Sequence, residues 1–179
     1  LFERDVRVFT VASGTAANSI ALASATPPWG GVICHSEAHV ACDECGAPEF
    51  FSNGAKVLLG AGPNGKMDPN GVERMVRKRK DINYPKPRAL SLTQATELGT
   101  VYTADEIKAI GAKAKSFGLK IHMDGARFAN AVASLGVAPK EITWQAGVDV
   151  LCFGGTKNGT PVGEAVVFFD RELAQEFDY

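Results

Sequence analysis

The chain has 179 residues, enough for one domain with a sizeable core, and 45% hydrophobic with 22% charged residues is typical of an ordinary globular protein. Its 19 basic and 20 acidic residues give a formal net charge of -1, which excludes a strong electrostatic field for nucleic acid or an anionic membrane. No apolar run approaches the roughly 20 residues of a membrane-spanning helix, so neither nucleic acid nor membrane is predicted as a partner.

The first half of the chain predicts strands that alternate with helices. A Ser-Gly-Thr turn at residues 13–15 joins an apolar, β-forming run to an alanine-rich stretch, and Asp68 with Pro69 places proline at the first position of a helix. In chain order, the predicted elements are strand 6–12, helix 16–25, strand 32–35, strand 55–59, helix 69–80 and strand 88–93.

The second half continues the same alternation. Thr103 and Glu106 have the spacing of a capping box, and Gly118 is placed to end the helix that follows. The alternation predicts an α/β fold of three layers, a mostly parallel sheet with helices on both faces. The predicted elements are helix 104–117, strand 119–123, helix 126–135, strand 148–153 and strand 164–169.

The four cysteines suggest neither a disulfide framework nor a metal site. Cys42 and Cys45 have the spacing of half a zinc site, but no second Cys or His pair follows at a useful distance. We therefore predict no metal, and we expect reduced structural thiols. With no signal peptide at its start, the chain is expected to act in the cytoplasm.

Ligands of open α/β sheets bind beyond the carboxyl ends of the strands, which directs attention to polar residues that follow predicted strands. Lys157 lies in a Gly-Gly-Thr-Lys-Asn-Gly run at residues 154–159, directly after the strand 148–153. Partial desolvation there would free its amine to attack a carbonyl, which suggests pyridoxal phosphate as the cofactor. The alternative is a surface lysine in a flexible turn.

Three further groups of polar residues also follow predicted strands, and each has a structural alternative. The turn of Ser13, Gly14 and Thr15 opens a helix and could bind a phosphate, or its hydroxyls could simply cap that helix. Asp124 ends a predicted strand and could hold a pyridine nitrogen, or it could pair with Arg127 or cap the next helix. His39 could stack on an aromatic ring or act as a base, or it could be a partly buried, hydrogen-bonded histidine.

Together these segments resemble the pyridoxal-phosphate-dependent threonine aldolases, which have the aspartate-aminotransferase fold. The resemblance covers nearly the whole chain, with matching segments at residues 13–18, 38–39, 122–127 and 154–159. Residues 93–100 resemble the low-specificity L-threonine aldolase branch. The implied fold is the large cofactor domain of fold-type-I enzymes, and the implied reaction cleaves the Cα–Cβ bond of β-hydroxy-α-amino acids to glycine and an aldehyde.

The resemblance also implies roles for individual residues. Lys157 would form the Schiff base, Asp124 would contact the pyridine nitrogen, and His39 would stack on the cofactor ring. Arg127 would bind the substrate carboxylate or a cofactor oxygen. The residues implied to bind the phosphate are Ser13, Gly14, Thr15 and Thr156.

Two departures from the family pattern matter. Residues 93–97 contain no histidine, where many members carry a second one, so the base could be His39, a water or a residue not yet placed. We also expect residues 1–179 to be the large domain of a longer protein, with an N-terminal arm and a small C-terminal domain outside it.

The implied substrates are L-threonine, L-allo-threonine and phenylserine, and the implied assembly of the full-length protein is a homodimer or homotetramer. Two alternatives stay open. One is another enzyme on the same fold, either a β-eliminating lyase or an aminotransferase, and the other is a non-catalytic α/β fragment.

Overall fold

Seven runs rich in apolar and β-branched residues form strands in the computed structural model, which describes residues 1–179. All seven belong to one sheet. The strands are β1 (Arg7–Val11), β2 (Gly30–His35), β3 (Lys56–Gly60), β4 (Lys86–Thr93), β5 (Lys120–Gly125), β6 (Val150–Gly154) and β7 (Glu164–Phe168).

Six α-helices connect the strands, and the longer ones begin at capping residues that the sequence signals. The N-cap side chains of Asp68 and Thr103 each accept a backbone N–H of the first turn, and Thr103 completes a capping box with Glu106. None of the helices combines the length and apolar character of a membrane span. The helices are α1 (Gly14–Ala25), α2 (His39–Cys42), α3 (Ala47–Phe51), α4 (Pro69–Arg77), α5 (Ala104–Ser116) and α6 (Phe128–Leu135).

The strand order across the sheet is β1-β7-β6-β5-β4-β2-β3. The five strands from β6 to the edge strand β3 are mutually parallel, and only β7 runs against its two neighbours. Asp124 is opposite Thr93 of β4 on one side and Cys152 of β6 on the other. The carboxyl ends of β4, β5 and β6 therefore lie side by side.

Alternate residues of the strands point to opposite faces of the sheet, and helices cover both faces. The larger core contains Ile121 and Met123 of β5 with apolar residues of α4, α5 and α6. On the other face, Ala17 and Ala21 of α1 pack against β6 and β7, and Leu22 packs against β2. Because Asp124 follows Met123, its side chain lies on the α1 face.

The predicted three-layer α/β fold with a mostly parallel sheet is confirmed, with small differences in its elements. The helix expected over 69–80 ends at Arg77, and the one expected from 126 begins at Phe128. The short helices α2 and α3 were not predicted, because neither begins with a side-chain cap. All four cysteines are free; Cys34 and Cys152 are buried, whereas Cys42 and Cys45 are exposed, so burial supports a structural role for the first pair only.

Candidate active site

A cavity of about 520 Å³ opens at the carboxyl ends of β4, β5 and β6, beside the start of α1. Residues from distant parts of the chain meet there, as expected for an open α/β sheet. The eight residues predicted for the site all line this cavity: Ser13, Gly14, Thr15, His39, Asp124, Arg127, Thr156 and Lys157.

The first turn of α1 forms one wall of the cavity. Ser13 caps the helix, because its Oγ accepts a 3.2 Å hydrogen bond from the Ala16 N–H and its carbonyl accepts one of 3.0 Å from Ala17. The N–H groups of Gly14 and Thr15 precede the first intrahelical bonds, and a Cβ on Gly14 would meet no protein atom within 4 Å. Capping and anion binding are therefore compatible at this turn.

Asp124 lies at the cavity floor and is only 4% exposed. Its Oδ1 accepts a hydrogen bond of 3.0 Å from the Ala126 N–H, and its Oδ2 accepts one of 2.9 Å from Asn18 Nδ2. Arg127 is exposed and forms no ion pair with Asp124, and no side chain caps α6. The structural alternatives proposed for Asp124, pairing with Arg127 or capping the helix, are therefore wrong.

His39 begins α2, and 37% of its side chain is exposed. Its backbone N–H donates to Glu97 Oε1 at 2.7 Å, and its Nδ1 lies 2.9 Å from Glu44 Oε1. The ring is thus fixed on one side by a carboxylate while it borders the cavity. Both interpretations of His39 therefore apply: it is a hydrogen-bonded histidine, and it lines the candidate site.

Glu44 is the main feature that the sequence did not reveal. Its side chain is fully buried, and its Oε1 also accepts a 2.9 Å hydrogen bond from Asn18 Nδ2. Burial raises the pKa of the Glu44 carboxyl, although the hydrogen bonds from Asn18 and His39 act in the opposite direction. Glu44 stands in a short loop between two cysteines, where no periodicity or strand end distinguishes it.

Side-chain ligand atoms of His39, Glu44 and Asp124 lie within 4.8 Å of one another, a spacing that a metal ion could use. The Asn18 amide already lies between the two carboxylates and donates one N–H to each. These hydrogen bonds occupy Glu44 Oε1 and Asp124 Oδ2, whereas the buried Glu44 Oε2 has no hydrogen-bond partner.

Lys157 lies in the short 3₁₀ helix Thr156–Asn158, just beyond β6. Asn158 Nδ2 donates to the Gly154 carbonyl at 2.6 Å, and the Gly155 N–H donates to Glu164 Oε2 at 2.9 Å, so the turn is held at both ends. The Lys157 side chain itself is exposed. The expectation that the Lys157 side chain is partly desolvated is therefore wrong for residues 1–179.

Residues 1–177 match the family described as Beta-eliminating lyase. The chain belongs to that family. A relative, the low specificity L-threonine aldolase of Pseudomonas aeruginosa, is 60% identical over 179 residues, which are 100% of this chain and 52% of that protein. The chain thus spans about half the length of the curated relatives it matches.

Solved structures with a similar fold include a threonine aldolase. Threonine aldolase of Leishmania major superposes with a TM-score of 0.92 at 32% identity, over 98% of this chain and 51% of that one. Cystalysin of Treponema denticola, described as containing a pyridoxal 5′-phosphate cofactor, superposes with a TM-score of 0.70 over 95% of this chain and 43% of that one. At 17% identity, the match with cystalysin shows a shared fold alone.

Proposed function

We propose that the full-length protein binds pyridoxal 5′-phosphate and cleaves the Cα–Cβ bond of β-hydroxy-α-amino acids to glycine and an aldehyde. L-Threonine, L-allo-threonine and phenylserine are the proposed substrates. The observation that carries this proposal is the meeting of eight residues from separate segments around one cavity at the strand ends. The 60% identity with a low specificity L-threonine aldolase supports the same reaction.

The residues around the cavity fit the chemical groups of this cofactor. The unpaired N–H groups at the start of α1, with nearby hydroxyls, suit a phosphate. Asp124 is a buried carboxylate and suits a protonated ring nitrogen, and the imidazole of His39 suits a ring face. The amine of Lys157 would hold the aldehyde covalently. The residues proposed for the phosphate are Ser13, Gly14, Thr15 and Thr156.

Pyridoxal phosphate, when bound, supplies an electron sink for negative charge at the substrate Cα. The carboxyl of Asp124 is held at the cavity floor by hydrogen bonds from Asn18 and Ala126. His39 presents a free ring nitrogen to the cavity, where it can accept the proton of a β-hydroxyl group. The exposed guanidinium of Arg127 would pair with the substrate carboxylate.

A product assay tests the proposal. Purified full-length protein, supplied with pyridoxal phosphate, should convert L-threonine to equal amounts of glycine and acetaldehyde. The family description favours one specific alternative, β-elimination. Ammonia and a keto acid in place of glycine would establish that alternative, and a protein that neither binds the cofactor nor consumes threonine would be a non-catalytic α/β protein.

We further propose that residues 1–179 form the cofactor-binding large domain and that the protein acts in the cytoplasm as a homodimer or homotetramer. The matched half-length of the relatives supports the domain assignment. The exposed free thiols of Cys42 and Cys45 suit a reducing compartment. The exposure of Lys157 supports an assembly in which other segments complete the site.

A further inference from the structure

One buried oxygen of Glu44 takes part in two hydrogen bonds. Its Oε1 lies 2.9 Å from His39 Nδ1 and 2.9 Å from Asn18 Nδ2. Asn18 uses its second N–H for Asp124 Oδ2, also at 2.9 Å. A continuous chain of hydrogen bonds therefore joins the histidine at the cavity wall to the aspartate at its floor.

The direction of these bonds determines which imidazole nitrogen carries a proton. An ionised carboxylate is only an acceptor, so the Nδ1 contact requires a hydrogen on Nδ1. A neutral imidazole has one N–H, which leaves the lone pair on Nε2. Nε2 forms no hydrogen bond with the protein, and His39 borders the cavity. Because Asn18 donates to the same oxygen, Oε1 is an acceptor there, and a proton taken up by Glu44 would reside on Oε2, which has no hydrogen-bond partner.

We propose that Glu44 is a positioning residue that holds His39 in the tautomer with its hydrogen on Nδ1, so that Nε2 is the acceptor facing the cavity. Glu44 does not line the cavity, so it acts through His39 and has no contact with a ligand there. Its catalytic consequence rests on the proposed function, since only a reaction that needs a proton acceptor makes the tautomer important.

The test is the ¹⁵N NMR spectrum of the imidazole rings in the full-length protein, in slightly alkaline buffer and without added cofactor. The chain has only three histidines, and a His39→Gln variant assigns the signals of His39. In the wild type, Nδ1 should have the shift of a protonated nitrogen and Nε2 that of an unprotonated one. Glu44→Leu, which removes the acceptor, should move the hydrogen to Nε2.

Glu44→Gln separates orientation from charge, because glutamine keeps an acceptor oxygen. It should retain the Nδ1–H signal yet lower kcat by about tenfold with little change in KM, since the carboxylate no longer stabilises a protonated ring. Glu37→Gln is the matched control, because Glu37 is exposed and outside the cavity. It should leave both the spectrum and kcat unchanged.

A hydrogen on Nε2 in the wild type, or the same His39 signals in Glu44→Leu as in the wild type, overturns the proposal. If Glu44→Leu does not fold, the wild-type spectrum decides: a hydrogen on Nδ1 supports the proposal, and a hydrogen on Nε2 overturns it. The NMR result does not depend on activity. If the tautomers are as expected but no glycine is released, the proposed reaction alone is refuted. If glycine is released but the hydrogen is on Nε2, the role of Glu44 alone is refuted.

Discussion

Asn18 of α1 donates a 2.9 Å hydrogen bond from Nδ2 to Asp124 Oδ2 of β5, across the boundary between the helix layer and the sheet. The same nitrogen donates to Glu44, so one amide separates two buried carboxylates. Without it, two negative charges would face each other in a region of low dielectric constant. Asn18 thus donates a hydrogen bond to each acid and stands between them.

Asn18→Asp should destabilise the protein strongly, because it replaces a shared donor with a third carboxylate of nearly the same shape. We expect a loss of about 2 kcal/mol or more in the free energy of unfolding at neutral pH. The loss should be smaller in mildly acidic buffer, where one of the three acids takes up a proton. Urea titrations at both pH values measure this, with the exposed Asn83→Asp as control. Equal stability of Asn18→Asp and wild type at neutral pH would contradict the shared-donor role.

Asp124→Asn should retain the fold and lose most activity. The new amide keeps an oxygen for the Ala126 N–H but removes the negative charge from the cavity floor. Its NH2 group also faces the Nδ2 donor of Asn18, a mismatch that should lower the free energy of unfolding by about 1–3 kcal/mol. We expect kcat/KM for threonine cleavage to fall by about 100-fold or more, the size typical of a lost electrostatic contact. Asp43→Asn removes a charge from the exposed rim of the same cavity and should have a much smaller effect. Similar losses in the two variants would mean that the position of Asp124 is not special.

Lys157→Ala should separate cofactor chemistry from stability. Because the Lys157 side chain is exposed, its removal should change the free energy of unfolding by no more than about 0.5 kcal/mol. The yellow colour of the full-length protein with pyridoxal phosphate should disappear, and borohydride should no longer fix the cofactor to the peptide that contains residue 157. A variant that remains yellow and is still labelled there would place the reactive amine elsewhere.

Gly14 of the predicted site and Gly154 at the end of β6 should respond differently to substitution by alanine. A Cβ on Gly14 would meet no protein atom within 4 Å, so Gly14→Ala should keep the stability within about 0.5 kcal/mol. That Cβ would occupy part of the proposed phosphate site, and pyridoxal phosphate should bind at least about tenfold more weakly, a change of about 1.4 kcal/mol.

Gly154 is different because its backbone lies against the chain at Ala126. A Cβ there would be 2.6 Å from Ala126 Cα and 2.5 Å from its carbonyl oxygen. Gly154→Ala should therefore lower the free energy of unfolding by about 1–3 kcal/mol. Thermal unfolding of the two variants beside the wild type is sufficient, and an unstable Gly14→Ala with a stable Gly154→Ala would contradict both arguments.

The sequence predicted those parts of the site that depend on strand ends. Asp124, Lys157 and Ser13 follow apolar runs, and parallel strands bring such positions to one edge of the sheet. The direction of β7 could also have been predicted, because residues 155–163 are too few for a parallel crossover, which needs a dozen residues or more. The role of Glu44 could not be predicted from the sequence, since its burial depends on α1 packing over a loop. The exposure of Lys157 was missed for the same reason, because solvent access depends on which segments cover a turn.

His122 provides a test of the buried layer behind Asp124. It is fully buried, with Nδ1 2.9 Å from Ser91 Oγ and Nε2 3.2 Å from Cys152 Sγ, and burial lowers its pKa to about 4 although the nearby Asp124 charge acts in the opposite direction. Because the unfolded chain takes up a proton near the ordinary value of about 6.5, stability is lost as the pH falls from 6.5 towards 4. When the pH is lowered from about 7 to about 5, the free energy of unfolding of the wild type should fall by about 2 kcal/mol more than that of His122→Gln. Urea unfolding of both proteins at both pH values measures this difference. Glu44, whose pKa is raised, and the other acids that do not interact with His122 contribute equally to both proteins. Equal pH dependence of the two proteins would show that His122 is not held neutral.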